Sequence, residues 1–283
     1  MEYVPYDFCF SVVSSLRDPS NLEDVFSNRT WRAAIANDNE NRVNFFVYYY
    51  NGFWNYAFRR GNSDQERVLT FEEIQKIDKK HLRVCVIQLL SCPATNIPTS
   101  FEEITTMVEY ILPSMHLANL HLECFFGDDQ IFKVSALFTD CSLYSITGVN
   151  VRQDFFFLTF LRSHLQADHL KSVSLTGRDE PMVDVAVIQY LLEKSFEYVR
   201  IDVGWAIKRE LFEVLFEKPL TEKRSCLVAR FFLTKQEMEN FKKSALQSTS
   251  NDEIVWRKED GEIRMEFFGD GFRKMTFEPD SCK

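Results

Sequence analysis

Apolar and polar residues follow three rhythms along this chain, and each predicts a different kind of element. In the first forty residues the rhythm is helical. Phe8, Val12, Val13 and Leu16 fall on one helix face, with acidic Asp7 near its start. Asp18-Pro19 interrupts the pattern. Ser20 and Glu23 then form a capping-box signature for a second helix carrying Leu22, Val25 and Phe26. After Asn28-Arg29, Thr30 is placed to cap a third helix bearing Trp31, Ala34 and Ile35. The rhythm then shortens to two. Val43–Tyr49 and Phe53–Phe58 are aromatic and β-branched runs around Asn51-Gly52, the strongest two-residue hairpin signal. The stretch 59–67 reads as an exposed loop, and Thr70 with Glu73 caps a short helix ending near Lys80.

From His81 onward a compound rhythm recurs: a six-residue motif with apolar first, fourth and sixth places, followed by an amphipathic helix. The motifs carry Leu82-Cys85-Ile87, Leu117-Leu120-Leu122, Cys141-Tyr144-Ile146, Leu170-Val173-Leu175, Phe196-Val199-Ile201 and Cys226-Ala229-Phe231. Their intervals run from 24 to 35 residues, and the later ones lie near the roughly 20–29 of leucine-rich repeats. Ser100 with Glu103 caps one intervening helix, residues 155–165 make another, Pro181 starts a third in its first turn, and Thr234 with Glu237 caps the last. The tail returns to period two. Ile254–Trp256, Ile263–Phe268 and Phe272–Phe277 are joined by Asp260-Gly261 and Asp270-Gly271, a meander expected to close the end of a repeat array. Residues 278–283 are expected to fray. The predicted fold class is α/β: a three-helix head (1–40), an aromatic hairpin with a connecting helix (41–80), a βα solenoid with a parallel sheet (81–250), and an antiparallel β cap with a tail (251–283).

Composition narrows the function. The chain has 283 residues, a net charge of −9 and a pI near 5.2. Proteins that neutralise phosphates carry basic faces, so nucleic acid and anionic lipid surfaces are not expected partners. Nine glycines against 27 phenylalanines argue against propellers and phosphate-cradling loops. Seven cysteines form no C-x-x-C pair, which reads as reduced thiols in an intracellular compartment, cytoplasm or nucleus. Residues 1–17 lack the pattern of a signal peptide, and no apolar run reaches the ~20 residues of a membrane span.

The head resembles an F-box in the order of Val4-Pro5, Phe8, Val12, Leu16, Leu22, Val25 and Trp31. Tyr6-Asp7-Phe8 and Asn21-Leu22 depart from the usual pattern of that motif. Over nearly its full length the chain is similar to the large nematode families of F-box-like proteins, through Val4-Pro5, Phe8-Cys9, Trp54, and Trp256 with Asp260-Gly261. The resemblance implies a non-catalytic substrate receptor of a Skp–cullin–F-box ubiquitin ligase. Pro5, Phe8, Val12, Leu16, Leu22, Val25 and Trp31 would serve the Skp-type adaptor and the head core, and the leucine-rich-repeat-like body would bind a target protein. A protein-binding scaffold with a degenerate F-box is the alternative, and an enzyme with an unrecognised pocket a third.

Chemistry-bearing residues do not gather into a familiar constellation. No cofactor and no metal site is expected. His164 and His169 stand at a spacing that converges poorly on a metal, and read as solvated residues at a helix end. His121 and Cys124 fall on opposite faces of their strand, which excludes a nucleophile–base pair. Glu102-Glu103, Asp128-Asp129 and Glu259-Asp260 suit caps and turns. Gly127, Gly148, Gly177 and Gly204 are expected in the turns after strands. Tyr48-Tyr49-Tyr50 with Trp54 and Arg59-Arg60 would be the place for stacked bases, and cross-strand packing explains them more simply.

Overall fold

A computed structural model describes residues 4–16, 22, 28–60, 67–93, 96–124, 130–150, 155–177, 185–220, 223–241, 246–250, 252–268 and 272–282. The chain divides into two compact units, Met1–Tyr144 and Ser145–Lys283. Both are mixed α/β.

The first unit runs α1 (Tyr6–Ser15), α2 (Arg29–Asn41), β1 (Arg42–Tyr50), β2 (Phe53–Arg60), β3 (Arg67–Leu69), α3 (Phe71–Gln75), β4 (Arg83–Ser91), β5 (Ile97–Thr99), α4 (Phe101–Ile111), β6 (Met115–Cys124) and α5 (Gln130–Ser135). Its strands lie in the order β6-β4-β1-β2-β3, and β5 also pairs with β2. The Asn51-Gly52 hairpin forms as expected. Both residues have positive φ, 51° and 86°, as the two central positions of a tight hairpin require. β1 runs antiparallel to β2 and parallel to β4, and β4 is parallel to β6. The hairpin is thereby built into the same sheet as the first two repeat strands.

The second unit takes in most of β7 (Leu143–Val149), then α6 (Phe155–Leu165), β8 (Ser172–Thr176), α7 (Val185–Glu193), β9 (Tyr198–Ile207), α8 (Arg209–Glu217), β10 (Ser225–Phe231), α9 (Lys235–Asn240), β11 (Leu246–Thr249), β12 (Glu253–Lys258), β13 (Gly261–Phe267) and β14 (Phe272–Pro279). β7, β8, β9 and β10 are successive parallel neighbours. β14 joins the free edge of β10 in antiparallel register, and β13, β12 and β11 follow outward.

Burial alternates along these strands. Val173 and Leu175, Val199 and Ile201, and Leu227, Ala229 and Phe231 are buried, while the residues between them are half-buried or exposed. The buried side faces helices: the Phe212 ring of α8 meets Phe231 at 6.2 Å and Trp256 at 6.2 Å, and Tyr190 of α7 donates its hydroxyl to the Leu170 carbonyl. Lysines tie the helix ends to the elements that follow. Lys218 Nζ donates to the Leu191 and Lys194 carbonyls at the end of α7, and Lys258 Nζ to the Phe216 and Lys218 carbonyls at the end of α8. These bonds satisfy acceptors that a helix leaves open at its C-terminus.

Each of the six repeat motifs yields a strand, and the capping boxes at Thr70, Ser100 and Thr234 form with both reciprocal hydrogen bonds. Several details differ. The N-cap of α2 is Asn28, whose side chain accepts from Thr30 N–H, and the helix runs on to Asn41. α3 stops at Gln75 rather than near Lys80. β2 runs on through Arg59 and Arg60, the first residues of the stretch read as a loop, β3 begins at its last residue, Arg67, and β5 and β11 also form where no strand was expected. Gly148 and Gly204 sit inside β7 and β9 rather than after them. Residues 278 and 279 close β14 and do not fray; beyond them Asp280 pairs with Arg257 at 2.8 Å. The Ser20/Glu23 helix, Pro181, Gly127 and Asp270-Gly271 lie outside the described residues.

The β12–β13 connection is Glu259-Asp260, and Gly261 is the first strand residue, not part of the turn. Its φ is 151°, and a Cβ there would stand 2.3 Å from the Glu278 carbonyl oxygen. Gly261→Ala is therefore expected to cost at least ~2 kcal/mol, since neither backbone can yield cheaply. A denaturant midpoint unchanged in the variant would refute this.

The capping boxes make a second expectation. Glu103 and Glu237 each accept backbone and side-chain hydrogen bonds at their N-caps, which holds both carboxyls below the usual range. A depressed folded-state pKa contributes stability above the unfolded value and loses it as pH falls through the folded one. Thermal melts of wild type and of the Glu103→Gln/Glu237→Gln variant should thus differ most above about pH 5. The gap should close on acidification; a gap independent of pH would contradict the assignment.

Candidate interaction surface of the helical head

The head core is small. Cys9 and Val13, one turn apart on α1, pack against Ala34 and Ile35 of α2, with Val4, Phe10, Leu22 and Trp31 partly buried around them. Because Cys9 and Val13 are the buried pair, the helical period turns Pro5, Phe8, Val12 and Leu16 onto an adjoining stripe. Pro5 is exposed at the N-cap of α1, Phe8 is 56% exposed, Val12 is half-buried, and Leu16 is 38% exposed at the helix end. The Phe8 ring stands edge-on to Trp31 at 6.3 Å. Such a pair holds an aromatic surface in place while most of one ring still faces solvent.

The predicted interface residues thus separate. Pro5, Phe8, Val12 and Leu16 share the stripe, and Trp31 supports it from α2. Leu22 packs on the head core. Val25 lies outside the described residues.

The head is anchored to the rest of its unit by contacts that pattern reading missed. Phe10 meets the His81 ring at 4.8 Å and has the Arg83 guanidinium 5.7 Å from its centroid. Asp38, fully buried, receives Arg42 Nε at 2.7 Å and lies 4.0 Å from Arg83 Nε. Arg42 also donates to the Leu16 carbonyl at 3.3 Å. The i, i+4 spacing of Asp38 and Arg42 was the available signal; the burial that gives it weight comes from tertiary packing.

Elsewhere the structure places several of the residues singled out in the sequence. His164 is buried, 2% exposed and packed on Phe160 at 4.6 Å, so it is not a solvated helix-end residue. α6 presents it inward because its apolar face extends to the last turn. Along β6, Cys124 is buried and His121 lies on the other side, 3.3 Å from Glu123. Burial pushes the Cys92 and Cys226 thiols up, and that of Cys141, which donates to the Phe138 carbonyl, up to about 12. A thiol held neutral is a poor nucleophile. Tyr49 and Trp54 are directly opposite on β1 and β2, rings 4.4 Å apart, and Arg59 lies over Phe46 at 4.5 Å. These rings pack on one another across the hairpin, as cross-strand pairing predicts. Among the described residues no His, Cys, Asp and Glu side chains cluster to hold a metal, and no helix is long and apolar enough to cross a membrane.

No protein-family model, curated protein or solved structure matches the chain.

Asp38 should be the electrostatic anchor of the head. Asp38→Asn leaves two guanidinium groups without their buried counter-charge, and is expected to lower unfolding free energy by about 3 kcal/mol. A loss below ~1 kcal/mol in chemical denaturation would show that the anchor lies elsewhere.

Proposed function

We propose that the chain is a non-catalytic substrate receptor of a Skp–cullin–F-box type ubiquitin ligase. In this reading the head is F-box-like and docks on a Skp-type adaptor, and the βα units form a leucine-rich-repeat-like body that binds a target protein. The antiparallel strands β11–β14 end that body by pairing with its last parallel strand. The compartment this requires is intracellular, cytoplasm or nucleus. The observation that carries the reading is Phe8: an aromatic side chain 56% exposed on a compact helical head, braced by Trp31, beside exposed Pro5 and Leu16.

A receptor of this kind needs no active site, because the transfer chemistry belongs to other subunits. It needs an apolar anchor that enters a partner groove, and aromatic anchors at interface centres commonly contribute about 2 kcal/mol or more. Leaving Phe8 in water gains nothing for the isolated head, whereas burying it against a partner removes its apolar area from solvent. Leu22 is less suited to test the idea, since it belongs to the head core.

The test is titration of the intact protein with a purified Skp-type adaptor by calorimetry. Wild type should bind, and Phe8→Ala should weaken binding at least tenfold, about 1.4 kcal/mol, with an unchanged melting temperature. If wild type fails to bind, or Phe8→Ala binds equally well, the adaptor reading is wrong. In that case the scaffold with a degenerate F-box takes its place.

A further inference from the structure

In the second unit, α7 and α8 cover one face of the parallel strands, and the register defines what stands on the other. One cross-strand row reads Thr147 (β7), Ser174 (β8), Arg200 (β9), Val228 (β10) and Lys274 (β14). Arg200 is exposed at the middle of this row. Its lateral neighbours are the small hydroxyl side chain of Ser174 on β8 and Val228 on β10.

The charges on this face are unevenly matched. Lys274 is bonded to Glu266 at 2.6 Å, and Arg230 lies 3.8 Å from Asp202. Arg200, and Arg224 just before β10, form no ion pair among the described residues. In a chain of net charge −9, Arg200, Arg230 and Lys274 on this face meet two carboxylates among the described residues, Asp202 and Glu266, which leaves a local surplus of positive charge beside Arg200. Aromatic groups adjoin it. Arg230 pairs across strands with Phe272 and lies 4.8 Å from its ring centroid, and Phe232, at the end of β10, is 70% exposed. Arginine and aromatic side chains together are the composition of interface hot spots.

We infer that this open face is the docking site for an acidic, extended segment of a partner protein, with a carboxylate on Arg200 and a large apolar side chain against Phe232 and Phe272. The inference deepens the receptor reading, in which the body takes a target, by naming the chemistry of that target. Val228, beside Arg200, and Arg230, beside Phe272, are two residues apart on β10, a step of about 7 Å. An extended ligand would therefore carry its acidic and apolar groups about two to four residues apart. Ser174 and Thr147 supply hydroxyls for its backbone, and the surplus positive charge would speed association of an acidic segment.

The experiment uses the whole chain, immobilised, and a phage-displayed library of random dodecapeptides. Enriched sequences should hold Asp or Glu within two to four residues of an aromatic residue or leucine. A synthetic enriched peptide should bind Arg200→Glu at least tenfold more weakly, and Phe232→Ser about fivefold more weakly. Both variants should keep the wild-type circular dichroism and melting temperature, since both side chains are exposed. Absence of enrichment, enrichment without acidic residues, or affinity indifferent to Arg200→Glu would each overturn the inference. So would tighter binding of an oligouridylate than of any selected peptide, which would make the face a nucleic-acid site. Phe8→Ala should leave peptide binding within about twofold, so that failure of the adaptor reading and failure of this one are separable.

Discussion

Burial of every second residue of β8, β9 and β10 against helices is the constraint on which the rest of the second unit depends. A strand sends successive side chains to opposite faces, so committing Val173, Leu175, Val199, Ile201, Leu227 and Ala229 to the helix side commits Ser172, Ser174, Arg200 and Val228 to the other. A slip of one residue in any of these strands would bury Arg200 or Ser174 and expose Ile201 or Leu175. Register and surface chemistry are consequently the same decision. The parallel arrangement is available because each crossover carries a helix, and the lysines at the helix ends bond carbonyls that would otherwise face the crossover without a donor.

That constraint also explains which parts of the fold were legible in advance. The six apolar motifs, the Asn51-Gly52 turn and the capping boxes at Thr70, Ser100 and Thr234 are local signals, with periodicity or a hydrogen bond closing inside a few residues. The missed strands and the misread histidine are tertiary. β3, β5 and β11 are three or four residues long, too short to show a period, and exist because a neighbouring edge offers hydrogen bonds. β14 continues through Pro279 because Gly261 of β13 lets the two backbones approach closely. His164 is polar by type but sits on the apolar face of a helix, where the Phe160 ring is its neighbour. No composition rule distinguishes that histidine from one in solvent.

The head was legible in a different proportion. Pattern reading selected seven residues as one set, and packing divides them by helical phase. Cys9 and Val13 take the inside, which leaves Phe8 out and draws Leu22 in. Phase differences of one residue, roughly 100°, decide this division, and a pattern of apolar residues as dense as residues 8–16 fits more than one phase. Asp38 shows the complementary limit. As one acidic residue in a polar helix, four before Arg42, it carries only a weak signal, and it becomes the anchor because Arg42 and Arg83 converge on it from β1 and β4.

The two surfaces argued for recognition are built on opposite physical terms. The head offers a ring already braced by Trp31, so a partner that buries Phe8 gains apolar area with little side-chain entropy left to lose. Arg200 offers a solvated charge on a long, mobile side chain, whose attraction for a carboxylate is weak in water and grows as the surrounding face is covered. Affinity at the first surface should therefore depend on shape, and at the second on how completely a ligand excludes water around the guanidinium. For a receptor that division is workable: a fixed apolar plug suits one constant partner, while an open charged face on a rigid sheet can hold segments that vary in detail but share a charge. The same argument accounts for the small hydroxyl side chain of Ser174 beside Arg200. Bulky neighbours such as the Phe46–Tyr48 pair on β1 would shield the charge permanently, and a permanently shielded arginine would require a fixed carboxylate of its own, as Arg42 has in Asp38.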